Sequence, residues 1–177
     1  MAIRKRKIES IVQDLLSKYK IKDAPIPVER IAKGCGAKIF YQSLDNDLSG
    51  FMYREKSNGL IGVNTHHPAV RQNFTTAHEL GHFLLHDQEQ VHVDREIRTP
   101  LHLRSKVSSE GTNELEREAN YFAACLLMPS EFIERDLVDE EYVDLLDDDF
   151  LCKLARKYRV STQALIIRLK NLDYIQE

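Results

Sequence analysis

The chain has only three cysteines among its 177 residues, and Cys35, Cys125 and Cys152 stand far apart, outside any CxxC pair. That spacing excludes a disulfide framework and a cysteine-built zinc site; it reads as buried thiols in a reducing compartment. No apolar run approaches the roughly 20 residues that span a bilayer. The opening stretch, MAIRKRKIES, is basic but lacks the apolar segment of a secretory signal. A cytoplasmic protein is expected. An excess of positive charge is missing too: 25 Lys and Arg stand against 28 Asp and Glu, a net charge of −3. Nothing global therefore points to nucleic-acid binding. Internal repeats and low-complexity linkers are also lacking. The length allows one domain with a real core and a small appendage.

What the chain does have is TTAHELGHFLLH over residues 75–86. His78 and His82 are four apart, so a helix sets them one turn from each other on one face. Imidazoles at that spacing bind one Zn²⁺, and Glu79 between them is placed to take a proton from a water. Chance alone produces this HExxH pattern in roughly 2% of chains of this length. Its surroundings therefore decide its meaning.

Ile8, Ile11, Val12, Leu15, Leu16 and Tyr19 recur at helical spacing, which predicts an amphipathic helix over 3–20. The basic run from Arg4 to Lys7 reads as its solvated start. Pro27 suits the first turn of a second helix, PVERIAKGC, closed by Gly36. Three strands follow: AKIFYQSL (37–44), GFMYRE (50–55) and GLIGVN (59–64). The turn signal at Lys56-Ser57-Asn58-Gly59 joins the last two as a hairpin. A small antiparallel or mixed sheet packed against the motif helix makes the fold α+β.

Within 87–112, Val91 and Val93 alternate with His92, and Leu101 and Leu103 with His102, as in short strands. Thr112 or Asn113 caps a strong helix, ELEREANYFAACLLM, which Pro129 ends; 130–137 is another short helix. Residues 134–149 hold nine acidic side chains and one basic one, the pattern of a solvated connector. Two closing helical patterns, DDFLCKLARKY and STQALIIRLKNL, complete a core of 1–137 and a helical hairpin of 138–177 packed on it.

A catalytic zinc takes three protein ligands and keeps one open position. His86 lies about 12 Å along the helix from His78 and is too far to share its ion. The metzincin third-histidine position is occupied by Gln88, with Leu85 where that pattern needs glycine. A glutamate from the later helix remains. Glu116 is the leading candidate, sharing a face with Asn120 and the small Ala123 and Ala124. Glu118 is the runner-up, and it and Glu114 read as solvent-facing. Asn120, one turn on, can accept from the second ring nitrogen of a ligating histidine. Gly81 is tolerable inside the motif helix where another backbone comes close. His66, His67, His102 and Tyr121 are candidates to stabilise an oxyanion.

FTTAHELGHFLLH and ELEREANYFAACLLMP together closely resemble the ImmA/IrrE family of zinc metallopeptidases. The resemblance implies a zincin-like fold with one Zn²⁺ per chain held by His78, His82 and Glu116, and Glu79 as general base. It places Asn120 behind a ligand histidine where thermolysin-like enzymes usually have Asp, which implies a less basic ligand. It further implies a bacterial or phage-derived protease that cleaves a helix-turn-helix repressor and so turns on mobile-element or stress genes. The competing expectation is a non-proteolytic regulatory partner, an antitoxin, sensor or DNA-binding regulator. KLARKYRVSTQALIIRLKNL itself resembles a helix-turn-helix, with Gln163, Arg168 and Lys170 on its second helix and Arg159 at the tight turn.

Overall fold

Burial of one face shapes the first helix, α1 (Lys5–Lys18), which turns Ile8, Val12, Leu15 and Leu16 inward. The computed structural model describes residues 3–45, 47–87, 90–95, 106–138 and 148–175, with the backbone alone for Arg95 and 106–113. Helix α2 (Val28–Gly34) follows Pro27 and ends before Gly36, whose φ of 92° is a left-handed conformation that glycine adopts without strain.

Strands β1 (Ala37–Gln42), β2 (Leu48–Glu55) and β3 (Asn58–Asn64) lie close to the expected ranges. A fourth, β4 (Val91–Arg95), extends the three-stranded sheet that was expected. The order is β1-β3-β2-β4, with β1 parallel to β3 and the other pairings antiparallel, so the sheet is mixed. The GLIGVN strand, β3, is therefore central. Its near-continuous apolar run is the mark of a strand covered on both faces, and Ile61 and Val63 are fully buried. Strand β4 forms the outer edge beside β2. It alternates in an unusual sense: Val91 and Val93 face outward at 56% and 42% exposure, while His92 turns inward at 7%.

The motif helix, α3 (Ala69–Leu85), lies between the sheet and α4 (Lys106–Leu127). Its second half is covered all round, so every residue of the run from Thr75 to Phe83 is buried. A Cβ on Gly81 would stand 3.2 Å from the Cα of Ala119 and 3.1 Å from the Phe122 ring. Close approach of α4 is thus the reason for glycine there. Helix α4 starts well before the expected cap at Thr112 or Asn113. Once its packed C-terminal half is helical, each added residue gains a hydrogen bond without a new nucleus, and Gly111 costs only about 1 kcal/mol.

Helices α5 (Ser130–Asp136), α6 (Asp148–Tyr158) and α7 (Thr162–Asn171) close the chain. The turn between α6 and α7 is tight: Arg159 takes a φ of 53°, and Ser161 accepts from the Ala164 amide at 3.1 Å. The second helix is committed to packing. Arg168, on the second helix of the helix-turn-helix resemblance, is 4% exposed and donates from Nε to the Met128 carbonyl at 3.0 Å, in keeping with the expected packing of the hairpin. Lys157 and Tyr158 both bond Asp136 of α5, and one apolar cluster runs from Ile8 to Ile175. Most of the acidic connector, and His102, lie outside the described residues. Among those described, no helix is long and apolar enough to cross a membrane.

Candidate active site

Helical spacing brings the side chains of His78 and His82 to one side of α3, where α4 and β4 meet it. The two Nε2 atoms stand 3.2 Å apart. Glu116 reaches in from α4, with Oε2 3.5 Å from His78 Nε2 and Oε1 3.5 Å from His82 Nε2. Donors bound at 2.0–2.1 Å to a tetrahedral zinc stand about 3.3 Å from one another. The two nitrogens and the two oxygens of one carboxylate lie near that spacing, and nitrogen with carboxylate oxygen is a donor set that zinc accepts. His78 and His82 are 3% and 0% exposed, whereas the Glu116 side chain keeps 30% of its surface in solvent.

Proton accounting supports the same reading. Asn120 Oδ1 lies 3.1 Å from His78 Nδ1. With the amide in that orientation, Nδ1 carries the proton, and a neutral His78 turns a bare Nε2 toward the cluster. Burial opposes ionisation of Glu116, but a hydrogen bond from His78 and the charge of the neighbouring imidazoles, when these carry a second proton, outweigh it and hold its carboxyl below the usual range. A bare nitrogen and a carboxylate in one partly dry corner are stabilised by a cation between them.

Glu79 lies on the same turn and is fully buried. Its carboxylate, a ring nitrogen of His78 and the carboxylate of Asp94 on β4 fall within 4.8 Å of one another. Donors, one each from His78, His82, His92 and Glu116, likewise lie within 4.8 Å of one another. His92 and Asp94 are the site residues that the sequence reading missed. The available signal was the alternation of β4, where the polar residue is the inward one.

His92 Nε2 is 3.2 Å from Glu116 Oε1, and its ring stacks on that of His82 with centroids 3.5 Å apart and planes 12° from parallel. An imidazole lone pair lies in the ring plane. Two parallel rings at that separation cannot both aim at one ion, so His92 sits beside the three-donor face as a neighbour.

The other expectations divide. Glu118 is 2% exposed, against its solvent-facing expectation, and it turns away from the cluster to Arg4 and His86. Its carboxyl falls to about 2, chiefly because the Arg4 guanidinium hydrogen-bonds it. Arg4 is therefore a paired residue rather than part of a solvated helix start. His86 lies outside the cluster, as its distance along the helix requires. Of the oxyanion candidates, His66 is an exposed turn residue 2.9 Å from Ser43 Oγ, and Tyr121 donates to Glu9 of α1. Neither they nor His67 belong to the donor group.

A groove of about 420 Å³ starts at Asp94 and Thr75 and runs past Phe74 to Ala164 and Ile167 of α7. A larger hollow of about 1000 Å³, between α2, Tyr41 and the first turns of α3, contains none of the cluster and has no evident part in its chemistry.

Comparison with known proteins identifies the family. The model of the Peptidase_M78 family, described as an IrrE N-terminal-like domain, matches residues 32–170. The chain is 30% identical over 122 residues to uncharacterized immunity region protein 2 of Bacillus phage phi105, covering 69% of this chain and 68% of that one. In fold it is similar to a Mycobacterium tuberculosis transcriptional regulator, with a TM-score of 0.60 and 14% identity over 93% of this chain. The match takes in 46% of that protein, so this chain spans just under half its length, and the likeness concerns fold alone.

Proposed function

Since the chain belongs to the Peptidase_M78 metallopeptidase family, we propose that it is a zinc-dependent endopeptidase that cleaves and inactivates a cognate helix-turn-helix repressor. The observation that carries this reading is the convergence of His78, His82 and Glu116, with contacts of 3.2–3.5 Å, beside the buried carboxylate of Glu79. These three residues would hold the zinc. When bound, zinc supplies a Lewis acid that lowers the pKa of water to near 7 and polarises a carbonyl.

The protein's own groups do the rest. Glu79 accepts the proton of the attacking water on a carboxylate oxygen and returns it to the leaving amine nitrogen. Asn120 holds the His78 ring by its Nδ1–H. His92, excluded as a ligand by its stack on His82, donates from Nε2 to the carbonyl oxygen of the scissile bond as negative charge develops there. It takes the role for which His66, His67, His102 and Tyr121 were candidates. An extended substrate segment pairs along the outer edge of β4 and sets one apolar side chain in the groove between Phe74 and Ile167.

The repressor as substrate follows from the family resemblance, and the immunity-region relative is in keeping with it. The test is incubation of the zinc-loaded chain, and of its Glu79→Gln form, with the repressor encoded beside it, followed by mass spectrometry. Defined fragments from the wild type alone are expected. Stable binding with no fragments from either form would replace the peptidase by a sequestering partner.

A further inference from the structure

Behind His82, on the side away from the reaction, lies a line of buried polar groups that the proposed chemistry does not use. His82 Nδ1 is 3.1 Å from His86 Nδ1, and His86 Nε2 is 3.3 Å from Glu118 Oε2. Glu118 is gripped in turn by Arg4: Nε and the backbone N–H reach Oε1, each at 2.9 Å, and Nη2 reaches Oε2 at 2.5 Å. His82, His86 and Glu118 are 0%, 5% and 2% exposed. We propose that Arg4, Glu118 and His86 form a positioning relay that sets the tautomer of His82 and so presents a bare Nε2 to the metal. This rests on the reading of His82 as a zinc ligand.

For a neutral His86 and a cation at the Nε2 side of His82, donor and acceptor capacities give one consistent assignment. Held by a guanidinium and a backbone N–H, Glu118 is a carboxylate and can only accept. The nitrogen facing it, His86 Nε2, therefore carries a proton. A neutral His86 then has a bare Nδ1, which accepts from His82 Nδ1–H. With its proton on Nδ1, His82 leaves Nε2 bare, and that is the atom 3.2 Å from His78 Nε2 and 3.5 Å from Glu116. The reverse polarity would put a proton on His82 Nε2, where a ligand needs a lone pair.

The relay also resolves an asymmetry. His78 is held by the neutral amide of Asn120, whereas His82 reaches a carboxylate through one intervening imidazole. A carboxylate behind a ligand histidine fixes its ring and raises its basicity, and losing such a partner typically costs about 10–100-fold in metal affinity. Sequence spacing alone explains His86, one turn beyond His82 on the same face. Only the fold brings α1 to α4 and closes the line at Arg4.

Two measurements on the full chain test the relay apart from the ligand set. In the metal-free wild type, long-range ¹H–¹⁵N correlation spectra should show His86 protonated on Nε2 and His82 on Nδ1. Zinc titration against a chromophoric chelator should then show His86→Leu about 10–100-fold weaker than wild type. His86→Gln, whose amide can accept from His82 and donate to Glu118, should stay within a few-fold, a rescue that mere filling of space would not produce. A wild type that fails to bind zinc would remove the ligand set while leaving the tautomers readable. His82 protonated on Nε2 in the metal-free chain, or wild-type zinc affinity in a folded His86→Leu variant, would overturn the relay. If His86→Leu does not fold, the wild-type tautomers and the His86→Gln affinity still decide.

Discussion

The seam between α3 and α4 and the edge strand β4 meet at one site but are built differently. The seam is dense: Gly81 admits the α4 backbone, and the imidazoles of His78 and His82 are each backed by a polar partner. Strand β4 is thin by comparison. It is paired on one side by β2 through a register shift near Leu48 and Gly50, and its valines face outward. Groups that must hold an ion without moving belong on packed helices, while groups that greet a substrate belong where an extended segment can come alongside.

If that division holds, substitutions on the seam and on the edge separate metal retention from turnover. The largest effect is expected at Glu79, on the seam but serving the reaction. Glu79→Gln should lower kcat at least about 10²–10⁴-fold with zinc content unchanged, read by single-turnover cleavage and metal analysis. Glu116→Ala should weaken zinc binding by more than about 100-fold, beyond the loss expected for a residue behind a ligand. Should Glu118→Ala strip the metal directly while Glu116→Ala retains it, the ligand assignment is wrong.

On the edge strand, His92→Gln should cost about 10²-fold in kcat with zinc affinity held within a few-fold. Equal losses of zinc and turnover would make His92 a ligand and erase the contrast between the two regions. A smaller, structural effect is expected at Gly81. Gly81→Ala puts a Cβ against the Ala119 backbone and should destabilise the fold by about 1–3 kcal/mol in urea unfolding.

The weakest effect is a pH dependence. Glu118 has its folded pKa depressed to about 2, so its contribution is fully present above the unfolded value near 4.5 and fades as pH falls toward 2. The Arg4 side chain is 45% exposed, and solvent screening reduces that contribution to about 1–2 kcal/mol. Acid unfolding of Glu118→Gln should accordingly be less steep than wild type in this window.

The sequence read well where a local rule is sufficient. Periodicity marked α1, α3 and the packed half of α4, turn chemistry marked the β2–β3 hairpin, and the HExxH spacing marked one side of the cluster. It read poorly where the answer depends on what lies opposite. Glu116 and Glu118 are two residues apart on one helix and alike in chemistry. That one faces the histidines and the other faces Arg4 is settled by α1 crossing α4, not by either residue. Glu118 looked solvent-facing because charge on a helix usually is, and nothing local to Arg168 marks it as buried. Both are buried against partners more than 30 positions away.

By itself, then, the sequence determined the motif helix, its two imidazoles and the carboxylate between them, because a helix converts spacing directly into direction. The tertiary structure alone decided the position of β3 within the sheet, the inward turn of His92, and the line from Arg4 to His82. Each of these is a meeting of segments distant along the chain, and such meetings are set by packing of the whole core, which local spacing does not encode.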